Sequence, residues 1–255
     1  MKQRFFIVGL ACIALAVGCK KNSPKDDSPS NATKYLQRYV TTSDGESVTY
    51  TLAYDTKNRL IAYNSEEDDY RSRITYDNND NPIRFELEST GAKQVFEITY
   101  NSTGVPLRAT SVLSDLDNPG EELETEITYE VTDGKISKMY FADEAGNEAV
   151  YTLSYMGNNL TRVAYTASEG ELVLTWNYGN KKSAYSAARF NYLVIPDLFS
   201  VFSSENEITQ SRLEITGLGA FITTYTYQFD AAGYPTAATE KDQDGNESQI
   251  SFFYD

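Results

Sequence analysis

The chain of 255 residues has no histidine, two cysteines, three methionines and one tryptophan. Without imidazole, Ser–His and Cys–His nucleophilic sites are excluded, and zinc centres of ordinary composition with them. Cys12 lies inside an apolar amino-terminal run, which leaves Cys19 as the other thiol. A domain downstream of it has no disulfide and must be held by its core, which this length permits. Basic residues are scarce too: 22 Lys and Arg stand against 37 Asp and Glu, for a formal net charge of −15. Such a surface repels phosphate backbones, so nucleic acid is not an expected partner. No stretch of the chain beyond the amino-terminal run shows a convincing helical period. Of the hydrolytic chemistries, two-carboxylate attack on glycans survives, since it needs only Asp and Glu.

The amino end reads as an address. Lys2 and Arg4 precede the apolar run Phe5 to Val17, which is too short to span a bilayer comfortably. It ends in Ala16-Val17-Gly18-Cys19. Small residues directly before a cysteine resemble the lipobox of bacterial lipoproteins. That resemblance implies cleavage before Cys19 and lipidation there, with acylation (palmitate) among its marks. Removing Lys2 and Arg4 with the signal takes the net charge to −17. Lys20, not Asp, follows the cysteine, which by the same analogy implies the outer membrane, with the face it occupies left open. Residues from Lys20 to about Lys34 carry Asn, Ser, Pro and Asp without periodicity and read as a flexible tether. The expected organisation is a signal peptide over 1–18, a tether over 19–34 and one domain over 35–255.

From Tyr35 onward, alternation at period two dominates. Tyr50, Leu52 and Tyr54 share one face, Thr49, Thr51 and Ala53 the other. Phe96, Ile98 and Tyr100 oppose Glu97 and Thr99; Leu174, Trp176 and Tyr178 oppose Thr175 and Asn177. Each is a strand with one apolar and one polar face, as an antiparallel sheet requires. Between the strands lie Asp, Asn and Gly turns such as 77–81, 101–104 and Asp133-Gly134. Pro82, Pro106 and Pro235 stand at strand starts, where a missing N–H is tolerated.

The aromatics before alternate turns mark a repeat: Tyr54, Tyr76, Tyr100, Tyr129, Tyr155, Tyr178, Phe229 and Tyr254. The spacings are 22, 24, 29, 26, 23, 51 and 25 residues, so the unit is a hairpin. The count is about 14–17 strands in one up-and-down meander, and open sheets rarely exceed about 10 without curling or closing. The expected fold is all-β, a single antiparallel meander curled or closed into a barrel. Its lumen is either flattened or filled, because every strand has an apolar face while a round barrel of about 16 strands holds water. The spacing of 51 contains one short irregular or helical insertion, 189–202, apolar without alternation, in which Pro196-Asp197 suits a helix start. This insertion reads as a connection docked on the core or as a plug or lid over one end. Phe190, Tyr192, Leu193, Ile195, Leu198, Phe199 and Phe202 are its candidate binding or lid residues.

The Ile-Thr-Tyr-Asp pattern at 74–77 resembles the tyrosine–aspartate (YD-type) repeats of bacterial surface proteins. It lacks their fuller Gly-Arg-Leu consensus except at Tyr54-Asp55-Thr-Lys-Asn-Arg59-Leu60, where Asn58 replaces the glycine. With the lipobox, residues 35–255 are similar to a family of Bacteroides-type outer-membrane lipoproteins described as having a porin-like fold. That family carries no assigned activity and no catalytic residues to transfer.

Three features compete for function. Asp68, Asp69, Glu121 and Glu122 fall in turns and read as a solvated rim. Asp242-Gln-Asp244-Gly-Asn246-Glu247 places oxygen donors around a glycine, as a calcium loop does, but has no flanking helices or distal glutamate and reads as a turn. The twenty tyrosines fall on the apolar side of the alternation and read as core. The expected function is a non-enzymatic, membrane-tethered binding or scaffold lipoprotein, monomeric, without cofactor or metal. The alternatives are a carrier of a lipid-like or other apolar small molecule in the lumen, a glycan-binding cleft or carboxylate-dependent glycan hydrolase, and a transmembrane barrel. Short strands and a redundant lipobox argue against the last.

Overall fold

Period-two alternation obliges the chain to extend and to bury every second side chain. The computed structural model describes residues 32–255 except 119, 121, 144, 147, 169 and 196–199. The signal peptide, Cys19, the tether up to residue 31, Glu121, Pro196-Asp197, Leu198 and Phe199 lie outside the described residues. The strands are β1 (Leu36–Ser43), β2 (Glu46–Tyr54), β3 (Leu60–Ser65), β4 (Tyr70–Tyr76), β5 (Pro82–Ser89), β6 (Ala92–Tyr100), β7 (Pro106–Asp115) and β8 (Glu122–Thr132). They continue as β9 (Lys135–Asp143), β10 (Glu148–Met156), β11 (Asn159–Ala167), β12 (Gly170–Lys182), β13 (Asn206–Ile215), β14 (Gly219–Phe229), β15 (Pro235–Asp242) and β16 (Glu247–Tyr254).

Each strand pairs antiparallel with its sequence neighbours, and β16 returns to β1 with Phe252 opposite Tyr39. The sheet is thus a closed sixteen-stranded barrel. Closure gives every strand a neighbour on both sides, although β3 and β4 meet in register only at Ser65 and Tyr70, and the Ser72 and Asn64 side chains take over the backbone groups beyond. At the seam, the Asp255 N–H donates to the Tyr35 carbonyl at 3.2 Å, and the Tyr35 N–H donates to the Asp255 carboxylate at 2.9 Å.

Register settles which face looks inward, because cross-strand partners share a face. Phe85 pairs Phe96, Ile127 pairs Phe141, and Leu153 pairs Val163, all part of one core. The outer face is polar. Arg84 lies between Glu86 (3.0 Å) and Glu97, Lys93 reaches Glu86 at 3.2 Å, and Lys138 reaches Glu130 at 3.2 Å. A lipid-facing barrel carries an apolar band there, and a charge at its middle costs about 2–4 kcal/mol. The expected argument from strand length does not hold: β7, β8, β12, β13 and β14 each run ten residues or more, long enough to span. The charged exterior, not the length, sets this wall apart from a membrane-spanning one.

The Tyr-Asp pair acquires two physical jobs. At the ends of even strands, the Tyr54, Tyr76, Tyr100 and Tyr254 hydroxyls donate to the carbonyls of Leu36, Leu60, Pro82 and Pro235 at 3.0, 2.7, 2.8 and 2.9 Å. Tyr178 donates likewise to Leu160. Every acceptor is the first or second residue of the preceding odd strand, so each tyrosine fastens the free end of a hairpin whose turn lies at the opposite end of the barrel. The following Asp or Asn builds the next turn. Asp55 Oδ1 accepts the N–H groups of Lys57 and Arg59, Asp77 Oδ1 those of Asn79 and Asn81, and Asn101 Oδ1 those of Thr103 and Val105, all at 2.9 Å or less. Asp230 repeats this with Ala232 and Tyr234. At Asp44-Gly45 and Asp133-Gly134, by contrast, both residues take positive φ, the geometry a two-residue hairpin needs.

Removing one clamp hydroxyl, as in Tyr100→Phe, should cost about 1 kcal/mol of unfolding free energy, read from the denaturant midpoint. Burial also raises the hydroxyls: Tyr178 is pushed up to about 12, and Tyr39, Tyr54, Tyr63, Tyr76, Tyr100, Tyr129 and Tyr254 rise further. Folded values above unfolded ones mean a contribution fully present below about pH 10 and lost as pH climbs through the folded values. Absorbance at 295 nm should therefore show these tyrosines ionising together in one alkaline unfolding step. A gradual titration centred near pH 10 with native circular dichroism would contradict it.

Candidate functional site

Antiparallel alternation puts every odd-to-even turn at one end of the barrel and every even-to-odd turn at the other. The long β12–β13 connection belongs to the second end and enters the lumen there. It begins earlier than the apolar run suggested, at Ser183, with short 3-10 turns at Ser186–Ala188 and Ser200–Ser203. Ala184, Ala188, Leu193, Val194 and Ile195 are buried, and Phe202 is wholly inaccessible. Phe202 meets Tyr63 of β3 at 5.8 Å, Tyr185 at 4.9 Å and Phe190 at 6.1 Å between ring centres. Phe190 meets Phe85 of β5 at 5.7 Å, Tyr185 meets Tyr39 of β1 at 6.0 Å, and the Tyr129 hydroxyl of β8 donates to the Val194 carbonyl at 3.2 Å. A segment leaving β12 therefore touches four distant strands of the wall: it is a plug.

Polar groups tie its return leg. Asn159 Oδ1 accepts the N–H groups of Glu205 (2.9 Å) and Asn206 (3.1 Å), and the Ser204 hydroxyl meets that of Tyr178 at 2.8 Å. Glu207, buried in β13, accepts the Lys181 N–H at 2.7 Å, and its carboxylate occupies the space a side chain at Gly179 would fill. Between the plug and the β9 and β10 ends a gap of about 30 Å³ remains, lined by Ile136, Tyr155, Phe190 and Leu193, room for one water.

Of the candidate lid residues, Leu193, Ile195 and Phe202 are buried and Phe190 and Tyr192 pack against the core. They fill the barrel rather than line an opening. Tyr185 and the Ser183, Asn159 and Ser204 ties were not singled out in the sequence; their signal is only proximity to the broken repeat.

Burial changes along the barrel axis. Leu36, Leu60, Phe85, Ile127, Ile136 and Leu160, toward the plug and at mid-depth, are sealed. Toward the opposite end, inward positions are only half-buried: Phe141, Tyr151, Tyr165, Leu172, Leu174, Trp176, Leu213 and Tyr225. Inward register is secure, since Val163 pairs Leu174, Leu174 pairs Leu213, and Leu213 pairs Phe221. At the rim, Leu123 is 52% exposed and Phe221 46%. Leu116 and Leu218, on the β7–β8 and β13–β14 turns, are 45% and 70% exposed. At the end opposite the plug the inward side chains are thus aromatic and aliphatic and only half-buried, with Tyr151 against Phe141 (5.0 Å) and Tyr165 (4.9 Å). Tyrosines expected as plain core are here accessible wall.

The acidic features are turn chemistry. Asp68 accepts from Tyr50, Asp69 pairs Arg71 at 3.5 Å, and Glu122 accepts from Ser114 at 3.3 Å. Asp242 Oδ1 accepts the Asp244 and Asn246 N–H groups at 2.9 Å, and Oδ2 the Asn246 amide at 2.7 Å, as in the other Asx turns. Among the described residues no group of three acidic side chains is placed to hold a metal ion.

No family model matches the chain, and no curated protein does. Among the solved structures that share its fold are two porin-like proteins. One is a porin-like protein from Bacteroides uniformis, at TM-score 0.56 and 17% identity, covering 89% of this chain and 100% of that one. The other is a porin-like protein from Bacteroides vulgatus, at TM-score 0.55 and 10% identity, covering 88% of this chain and 99% of that one. The porin-like fold that the sequence resemblance implied is therefore the observed one.

Phe202→Ala should cost about 3–5 kcal/mol, because the plug is ringed by wall side chains that cannot collapse onto the void. Phe253→Ala, on the outer face, should cost under about 1 kcal/mol. Urea midpoints of the two variants check the contrast.

Proposed function

We propose that the protein is a non-enzymatic, monomeric binding lipoprotein of the bacterial outer membrane, anchored through Cys19, that holds an apolar small molecule in the mouth of its barrel. The observation that carries the binding half is the row of inward yet accessible residues from Phe141 to Phe221. Exposing that much apolar wall is unfavourable, at about 25 cal/mol for each Å² that a ligand would cover. The anchoring half rests on Ala16-Val17-Gly18-Cys19 behind a short apolar run. The orientation we assign it draws support from Lys34, held at the plug end by a 2.6 Å ion pair with Asp230. A tether leaving from there turns the plug toward the membrane and the mouth away from it. A pure scaffold would need no such wall, and two-carboxylate hydrolysis finds no support in acids already engaged in turns.

Anchoring is checked with Cys19→Ser in a Gram-negative host. The substitution should abolish incorporation of labelled palmitate and release the protein from membranes. Binding is checked with N-phenyl-1-naphthylamine, an uncharged apolar probe. Its fluorescence should rise on mixing and quench Trp176, the sole tryptophan, which faces the lumen. Phe221→Glu should remove the response while leaving thermal unfolding unchanged. Absence of any response in the wild type would favour the scaffold role.

A further inference from the structure

We propose that the seam between β3 and β4 is a lateral window through which the apolar ligand enters and leaves the lumen. The proposal rests on the barrel holding such a ligand, and it concerns the route. β3 and β4 share a single backbone pair, Ser65 with Tyr70, whereas every other neighbouring pair of strands shares at least five. Past that pair, side chains replace the ladder. The Ser72 hydroxyl accepts the Tyr63 N–H at 2.9 Å and donates to the Tyr63 carbonyl at 2.8 Å, and the Ser72 N–H donates to Asn64 Oδ1 at 3.0 Å.

Both ends of the seam are fastened. Away from the plug, the turn 66–69 joins the two strands, and the Tyr50 hydroxyl donates to Asp68 within it. At the plug end the Tyr76 hydroxyl donates to the Leu60 carbonyl at 2.7 Å, and Arg59 and Lys57 reach Asp80 at 2.6 and 2.5 Å. What can part is the stretch between, where three hydrogen bonds depend on two short side chains. A change of the Ser72 rotamer releases two of them at once, without moving either backbone. Local opening is drawn from such poorly laddered segments, ahead of any seam that must break a full row of backbone bonds.

The window faces the accessible wall. In a closed barrel of sixteen strands, β11 and β12 stand eight strands from β3 and β4, across the lumen. Ser72 lies two residues from the end of β4 that is away from the plug, and Tyr165 and Leu172 lie two from the same end of β11 and β12. Ser72 pairs buried Leu87 of β5, and the Tyr63 and Tyr70 rings meet edge to face at 5.5 Å, so the way in is apolar. An incoming peptide strand would need the Tyr63 and Ser72 backbone groups that the side chains already hold. The seam therefore suits a small molecule and not an added strand.

The test uses residues 20–255, whose barrel closes entirely within Leu36–Tyr254. Amide exchange followed by nuclear magnetic resonance should release Tyr63 and Ser72 at least about tenfold faster than the amides of the β6–β7 ladder. Exchange at ladder rates would overturn the window, whatever the ligand does. Passage is read by stopped-flow fluorescence of N-phenyl-1-naphthylamine. Ser72→Ala, which removes two of the three ties, should raise the association and dissociation rate constants together, by about threefold or more, and leave Kd unchanged. A substitution that merely loosened the site would move Kd instead. Asn64→Ala, which removes the third tie, serves as the second variant should the first unfold. Rate constants unmoved by either substitution would overturn the route and assign entry to the end of the barrel. No fluorescence response in the wild type would overturn the binding reading and the route with it, while exchange at Tyr63 and Ser72 separately decides whether the seam opens.

Discussion

A sheet of sixteen strands that closes on itself encloses more space than the side chains of its own wall can fill. The rest of this structure answers that constraint. With apolar side chains pointing inward, an unfilled lumen would be a wet cavity lined by Phe, Leu and Tyr. The chain solves half the problem by breaking its repeat once and folding the described residues of 183–195 and 200–205 into one end, where Phe202 and Phe190 reach Tyr63 and Phe85. The other half of the lumen keeps its accessible apolar wall. Sealed and accessible inward side chains therefore sit at opposite ends of the same barrel.

The wall itself is assembled from a two-residue device. Tyrosine reaches back to close a hairpin, and aspartate or asparagine reaches forward to shape the next turn. Where the device varies, the structure does too. Tyr129 gives its hydrogen bond to the plug carbonyl of Val194, tying the two systems together. Phe229 has no hydroxyl to give, yet Asp230 after it still forms its turn and also holds Lys34, where the chain enters the barrel. Burial of these hydroxyls makes the fold sensitive to alkali rather than to neutral pH, in keeping with a chain that has no histidine.

Much of the architecture was legible in one dimension. Alternation at Tyr50–Tyr54 or Phe96–Tyr100 admits little but a half-buried strand, and regular spacing of Tyr before Asp or Asn admits little but a meander. The site was less legible. Leu193, Ile195 and Phe202 read equally as a docked connection, a plug or a lid because they interrupt the repeat, and they are among the most buried residues. Tyr151, Tyr165 and Trp176 look like ordinary core because they obey it, and they are only half-buried. Alternation reports the face a residue is on, not its depth along the axis.

The sequence by itself determined the strands, the polar exterior, the turns and the acidic surface, because each depends on neighbours within a few residues or on composition alone. Only the tertiary structure decided that the sheet closes, that the irregular segment goes inside and not over it, and at which end the inward side chains stay accessible. Those outcomes depend on contacts between Phe202 and Tyr63, or Tyr129 and Val194, that are remote along the chain. Whether an inward side chain is sealed or accessible depends on what lies across the lumen from it, and no local pattern carries that information.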